Sequence, residues 1–244
     1  MHSPTRPIDR IPPELLLRAY RAGIFPMADF RDDPEVFWVE PRERAIIPLD
    51  GFHLSRSLAK TLRRDLFRVT CDADFSGTIA ACAAPREELA ESWISERIEA
   101  SYRDLFANGH AHSIECWGQN EAGEQQLVGG LYGVAFDRVF CGESMFSRAT
   151  DASKIALAWL VAGLRQAGYQ LLDCQFITDH LASLGAVAIA QEDYLKRVQS
   201  AHGAPRCSLP QALEELVGVG EGEEEGLGAA SPGKRIEQSL TQTS

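Results

Sequence analysis

Residues 126–143 read QLVGGLYGVAFDRVFCGE and residues 152–176 read ASKIALAWLVAGLRQAGYQLLDCQF, and the change of period between them decides the fold. The first stretch predicts two antiparallel strands around a turn, Gln126–Phe136 and Arg138–Glu143. The second opens on a helix, Ala152–Ala167, with Leu157, Leu160, Val161 and Leu164 on one face at i, i+3, i+4 and i+7. Gly168 supplies the stop signal, and Leu171–Phe176 returns as an apolar strand. Upstream, His112–Trp117 adds a strand, with Asn120–Gly123 as a hairpin tip. Downstream, a helical turn at Asp179–Leu184, a strand at Val187–Ala190 and a helix at Asp193–Ala201 complete the pattern. Helices packed on a mostly antiparallel sheet make the fold class α+β. Gly129-Gly130, inside a strand, predicts a bulge or a close backbone approach.

The amino-terminal part is more broken. Helices are expected at Glu14–Arg21, Ser55–Arg64 with Ser55 as N-cap, Asp74–Ala83 and Ser95–Ala107, with a short strand at Phe67–Cys71. Phe25–Pro48 is proline-rich and reads as irregular. The expected organisation is a small N-terminal domain over residues 1–50, a larger domain over 51–211 and an acidic Gly/Glu-rich tail over 212–244. The tail has almost no large apolar residue after about 218, so it is expected to lack order there.

Composition restricts the function. The 244 residues can bury a substantial core, and the six cysteines are scattered with no zinc-ligand spacing, so no metal site is expected. No signal-peptide pattern and no stretch of ~20 apolar residues is present, which predicts a cytoplasmic protein with no membrane partner. The net charge of −11 argues against a long duplex such as DNA. Its distribution is uneven. The tail holds seven acidic side chains against Lys234 and Arg235, whereas Arg42–Arg68 holds Arg42, Arg44, Arg56, Lys60, Arg63, Arg64 and Arg68 against three acids. That basic segment is either a solvated helix face or a local phosphate-contacting patch.

Three polar residues stand out in or beside strands that should be apolar: Glu143, Asp173 and Gln175. Period-two alternation places Asp173 and Gln175 on one strand face. A buried carboxylate without a partner costs several kcal/mol, so Asp173 and Glu143 should meet a cleft, a cation or each other. A structural hydrogen-bond network and a chemical site both satisfy that demand. His110, His112 and His180 have no accompanying nucleophile motif and are expected to serve structural hydrogen bonds.

Seven ordered blocks, YRAGIFP (20–26), GHAHSIECW (109–117), VGGLYGV (128–134), FCGESMFSR (140–148), DASK (151–154), LDCQ (172–175) and DHLASLGA (179–186), span most of Glu14–Val198. Together they resemble the leucyl/phenylalanyl-tRNA–protein transferase family. The resemblance implies a GNAT-like acyltransferase domain after the small N-terminal one. It also implies transfer of leucine, phenylalanine and less readily methionine from aminoacyl-tRNA to proteins beginning with Arg or Lys, marking them for N-degron proteolysis. No cofactor and no metal are implied, and a monomer is expected.

By the same resemblance, Asp173, Gln175 and Glu143 are catalytic, with Gln175 orienting the attacking amine under the influence of Asp173. Leu131, Phe140, Met145, Leu157, Leu160, Leu164 and Leu172 match the side-chain pocket, although composition alone reads them equally well as core. Trp93 matches an aromatic contact to the tRNA 3′ adenosine. Met27 stands where many relatives have a second tryptophan. Arg42, Arg44, Arg56, Lys60, Arg63 and Arg64 are candidates for the tRNA backbone. An acyl-coenzyme A donor would call for an R/Q-x-x-G-x-G/A pyrophosphate loop, and SRATDAS at 147–153 lacks its glycines. A binding module that recognises aminoacyl-tRNA or basic N-termini without transfer is the remaining alternative.

Overall fold

Helix α5, Ala152–Ala167, is apolar on nearly every side and must therefore be surrounded. In the computed structural model, which describes residues 8–85, 92–120, 122–218 and 230–242, it is the centre of one of two cores. One side of α5 lies on strands β5 (Ala111–Gln119), β6 (Gln125–Phe136) and β7 (Val139–Ser147). The other side is covered by α8 (Leu209–Val217) and α9 (Pro232–Thr241). With β3 (Glu43–Ile47), β4 (Arg68–Cys71), β8 (Leu171–Gln175) and β9 (Val187–Ala190), these strands form a seven-stranded sheet of order β4-β5-β6-β7-β8-β3-β9. Every neighbouring pair is antiparallel except β7 and β8, which are parallel and joined through α5. The α+β class and the helix–strand order expected from the sequence are present.

The opposite sheet face carries the second core. There α1 (Pro13–Arg21), α3 (Phe75–Ala83), α4 (Glu96–Ala107) and α7 (Gln191–Ser200) bury Tyr20, Phe75, Tyr102, Tyr132 and Tyr194. Caps anticipated from sequence are formed: Ser55 Oγ accepts the Leu58 N–H at the start of α2 (Arg56–Arg63), and Gly168 ends α5 in the left-handed region at φ 79°. The Gly129-Gly130 expectation is met twice. A register shift leaves Val128 as an extra residue of β6, and a Cβ on Gly129 would lie 2.4 Å from that of Ala152 in α5.

Three expectations are corrected. The proline-rich stretch Phe25–Pro48 is not irregular throughout. It contains a small ribbon, β1 (Phe25–Met27) paired with β2 (Phe37–Val39), and then β3. Because β3 lies between β8 and β9, the boundary expected near residue 50 falls after a strand that belongs to the large sheet. The boundary expected at 211 cuts through α8, whose Leu209, Ala212 and Leu213 are buried against α5.

The tail, expected to be without order from about 218, holds helix α9; residues 219–229 lie outside the described residues. Low-complexity composition concealed a Ser231-Pro232 start followed by Ile236 and Leu240 at i, i+4. Ile236 is fully buried, the Gly233 N–H donates to Asp65 Oδ1 at 2.7 Å, and Arg63 of α2 pairs with Glu237. Among the described residues no helix is long and apolar enough to cross a membrane. If α9 is fastened as its packing indicates, Ile236→Ala will destabilise the fold by about 2–4 kcal/mol in urea denaturation.

Candidate active site

Strands β7 and β8 begin in register and then part. Their parallel ladder covers Val139↔Leu171, Phe140↔Leu172 and Cys141↔Asp173, whereas β7 itself continues to Ser147. Each strand carries a bulge just beyond the last pair. Against β6, Tyr132↔Ser144 is followed by Gly133↔Gly142, so Glu143 is the extra residue of β7. Against β3, Ile46↔Asp173 is followed by Ala45↔Gln175, so Cys174 is the extra residue of β8. Bulges bend a strand and re-aim side chains, and these two do so on either side of the parting. Strict alternation across 173–175 is therefore broken, and Gln175 takes a left-handed conformation at φ 62°.

The parting opens into a cleft of about 850 Å³. Leu131, Met145, Leu157, Leu160 and Leu172 line it together with Glu143. Phe140 and Leu164, expected in the same pocket, are fully buried core residues that do not line the cleft. A cavity of this size exceeds any single side chain, and the leucines and Met145 give part of it an apolar wall.

Glu143 sits in the cleft wall and is 7% exposed. Gln175 Nε2 donates to its Oε1 at 2.9 Å and Tyr102 Oη donates to its Oε2 at 3.1 Å. Tyr102 Oη is in turn hydrogen-bonded to Tyr20 Oη. Burial pushes the Glu143 carboxyl up to about 7, while hydrogen bonds from Tyr20, Gln175 and Tyr102 pull it down and the charge of Asp173 adds a further upward push. This carboxyl therefore exchanges its proton near neutrality.

Asp173 is arranged differently. It is fully buried, and Arg44 of β3 holds both of its oxygens, Nε to Oδ1 at 2.9 Å and Nη2 to Oδ2 at 2.6 Å. Tyr194 Oη adds a bond to Oδ2 at 3.3 Å, and the Gln175 backbone N–H donates to Oδ1 at 2.8 Å. The cation anticipated for one of the two acids is thus Arg44. Arg44 is itself fully buried, which corrects its expected place on a tRNA-contacting surface: a side chain with no exposure cannot touch a phosphate backbone.

The other basic candidates divide. Arg42, Arg56, Lys60, Arg63 and Arg64 are all exposed, and of these Arg63 is paired with Glu237. Trp93 and Met27 are half-buried on the second core, their segments joined by the Ala28 N–H to Trp93 O bond at 3.2 Å, and neither lines the cleft.

His112 meets its structural expectation, with Nδ1 2.7 Å from Asp72 Oδ2. His180 does not. It lines the cleft with Nε2 buried and unpartnered, and burial together with the charge of Lys154 lowers its pKa. Sequence reading missed Tyr20, Tyr102 and Tyr194, and the pairing of Arg44. A charged residue inside the apolar run ERAII (43–47) was the available signal for the last.

The cleft beside the parted strands is lined with leucines and with Glu143, whose carboxyl is held by the Gln175 amide, and the class that family comparison gives is that of an acyltransferase. Family comparison specifies the acyl group. Residues 46–199 match the profile described as leucyl/phenylalanyl-tRNA protein transferase, and residues 9–42 match that of its N-terminal domain. The chain belongs to the leucyl/phenylalanyl-tRNA protein transferase family. A protein of that name from Novosphingobium aromaticivorans is 58% identical over 96% of this chain and 97% of its own length. Another from Zymomonas mobilis is 59% identical over 78% of this chain and 69% of its own. Among solved structures, L-PGS from Bacillus licheniformis is 15% identical, covering 70% of this chain and 55% of its own at a TM-score of 0.35, a likeness too distant to bear on the assignment. The protein is accordingly an aminoacyltransferase that moves an amino acid from tRNA to protein.

A raised carboxyl pKa is a statement about stability. Between its ordinary value of 4.5 and about 7, Glu143 holds its proton more tightly in the folded protein than in the unfolded chain. Its contribution to stability is therefore present at low pH and is lost as pH rises through 7. The stability difference between Glu143→Gln and wild type, measured by urea denaturation from pH 4.5 to 8, will move in the mutant's favour by up to about 3 kcal/mol.

Proposed function

We propose that the cleft receives the leucyl, phenylalanyl or, less readily, methionyl group of an aminoacyl-tRNA, and that Glu143 and Gln175 present the N-terminal amine of an Arg- or Lys-initiated protein to its ester. The supporting observation is the meeting of an apolar slot with a carboxyl that titrates near 7 and is hydrogen-bonded to an amide. An aminoacyl ester is already activated, so catalysis consists mainly of holding a neutral amine against the carbonyl and relieving it of a proton. The amine nitrogen bonds to the ester carbon, the bond to the ribose oxygen breaks, and Glu143 passes the amine's proton toward the departing hydroxyl. Gln175 donates to Glu143 through Nε2, which leaves its Oε1 as an acceptor for the amine.

Asp173 does not take the proton in this reading. Its two oxygens are already occupied by Arg44, and Glu143 is the acid left to meet the acceptor's positive charge. Trp93 and Met27 offer the surface for the 3′ adenosine, where stacking on an aromatic contributes about 1–3 kcal/mol. Arg42, Arg56, Lys60 and Arg64 are the side chains proposed for the tRNA backbone, with action as a monomer in the cytoplasm. A slot lined by leucines and methionine rejects charged donors strongly but separates leucine from phenylalanine or methionine by only about 1–3 kcal/mol.

Radiolabelled leucine or phenylalanine on tRNA, presented with a protein beginning with arginine, tests the reading. Wild type will transfer the label, and Glu143→Gln and Gln175→Ala, if folded, will lower kcat by about 100-fold or more. Binding of charged tRNA without transfer would point to a recognition module instead.

A further inference from the structure

A guanidinium is poorly suited to a protein interior, yet Arg44, the second residue of β3, has no exposed side-chain surface. Such a group is tolerated only where other bonds replace its hydration. Here they converge on the reaction centre. Nε and Nη2 donate to the two oxygens of Asp173 at 2.9 and 2.6 Å, and Nη1 donates to Gly23 O at 2.9 Å. The guanidinium carbon lies 4.8 Å from the Phe25 ring centroid and 4.5 Å from that of Tyr194, so aromatic faces take the place of water. Burial alone would lower its pKa, but the hydrogen bonds and charge of Asp173 outweigh burial and raise it.

Three links then run toward the cleft. Arg44 fixes Asp173, Asp173 Oδ1 accepts the Gln175 N–H at 2.8 Å, and Gln175 Nε2 donates to Glu143 at 2.9 Å. The middle link matters most, because Gln175 is a non-glycine residue at φ 62°, a conformation that must be held by its surroundings. We propose that Arg44 is a positioning residue for aminoacyl transfer: by neutralising Asp173 and fixing both its oxygens, it keeps Gln175 in the left-handed conformation that aims its amide at Glu143. The proposal rests on reading Glu143 and Gln175 as the reaction centre. A merely structural ion pair would support folding and leave the chemistry of Glu143 untouched.

The pH profile separates the two. Glu143 is faced by Tyr20 from α1, Tyr102 from α4, Tyr132 from β6 and Gln175 and Asp173 from β8, with Cys141 on its own strand. Of these, Asp173 is the neighbouring carboxylate, and Arg44 compensates its charge. Loosening that compensation disfavours ionisation of Glu143 and moves the acid limb of the rate profile to higher pH; neutralising Asp173 moves it to lower pH.

Single-turnover transfer from leucyl-tRNA to an Arg-initiated protein, across pH 5.5 to 9, is compared for wild type, Arg44→Lys, Arg44→Met and Arg44→Met/Asp173→Asn, each with a thermal unfolding curve. Lysine keeps the charge but cannot hold both oxygens. Arg44→Lys is expected to lower kcat by about 10–100-fold with KM for the acceptor changed far less, and to raise the acid limb. The double variant removes both charges of the pair and retains an oxygen for the Gln175 N–H. It is expected to unfold near the wild-type temperature, to recover about 10-fold or more of the rate lost in Arg44→Met, and to show an acid limb at or below that of wild type. Wild-type kcat and an unmoved limb in a folded Arg44→Lys would overturn the proposal. So would a well-folded double variant no faster than Arg44→Met, since Asp173 would then act by its own charge. Should Arg44→Lys fail to fold, the double variant decides alone. No transfer by wild type would sink the functional reading itself.

Discussion

The buried pair of Arg44 and Asp173 is the constraint around which the rest of the molecule is arranged. Neither ion can be left alone, because removing one partner of such a pair leaves an uncompensated charge and costs about 3–5 kcal/mol. Bringing them together requires β3 to lie beside β8 with Ile46 opposite Asp173. The sheet must therefore admit a strand from the amino-terminal part between β8 and β9. The same guanidinium binds Gly23 O and packs on Phe25, so the turn after α1 is placed by the ion pair as well. Gln191 Nε2 from α7 reaches the same carbonyl at 3.0 Å. The small amino-terminal unit is thereby tied into the wall of the site.

The second constraint is geometric. A fully paired sheet leaves no room for a substrate, and one torn open leaves backbone donors and acceptors without partners. The chain keeps three register pairs between β7 and β8, then bulges both strands at the parting. Glu143 is the bulged residue of one strand and Gln175 follows the bulge of the other, and their side chains meet at 2.9 Å. Helix α5, which connects the two strands, supplies Leu157 and Leu160 to the cleft they open.

Much of this was legible in the sequence, for identifiable reasons. α5 was plain because four apolar residues recur at helical spacing and a glycine ends the run; β5 to β8 were plain because short apolar runs are set off by turn residues and by the end of α5. Glu143, Asp173 and Gln175 stood out as polar groups in apolar strands. What alternation could not supply was the pair of bulges, which depend on partner strands distant in sequence and which changed the relation of Asp173 to Gln175. Arg44 was misplaced because the positive charges of Arg42–Arg68 were read together, although Arg42 lies exposed just before β3 and Arg44 is buried within it. α9 was hidden by the composition of the residues before it. Phe140 and Leu164 could not be separated from Leu160 or Leu172, because an apolar side chain looks the same on either side of a cavity wall.

The two carboxylates show how one strand interface sustains opposite electrostatics. Both are buried, and burial alone would disfavour charge on either. Asp173 receives two guanidinium bonds, a tyrosine hydroxyl and a backbone N–H, so each of its oxygens is engaged from two sides. Glu143 receives neutral donors alone, an amide and tyrosine hydroxyls, and stays near 7. Of two neighbouring acids held in this way, the one fixed by a cation organises the site and the one held by neutral donors alone is left to exchange a proton. The position of Arg44 in the sheet makes that division, since a cation one strand further from Asp173 would leave two uncompensated acids at one site and no reason for them to differ.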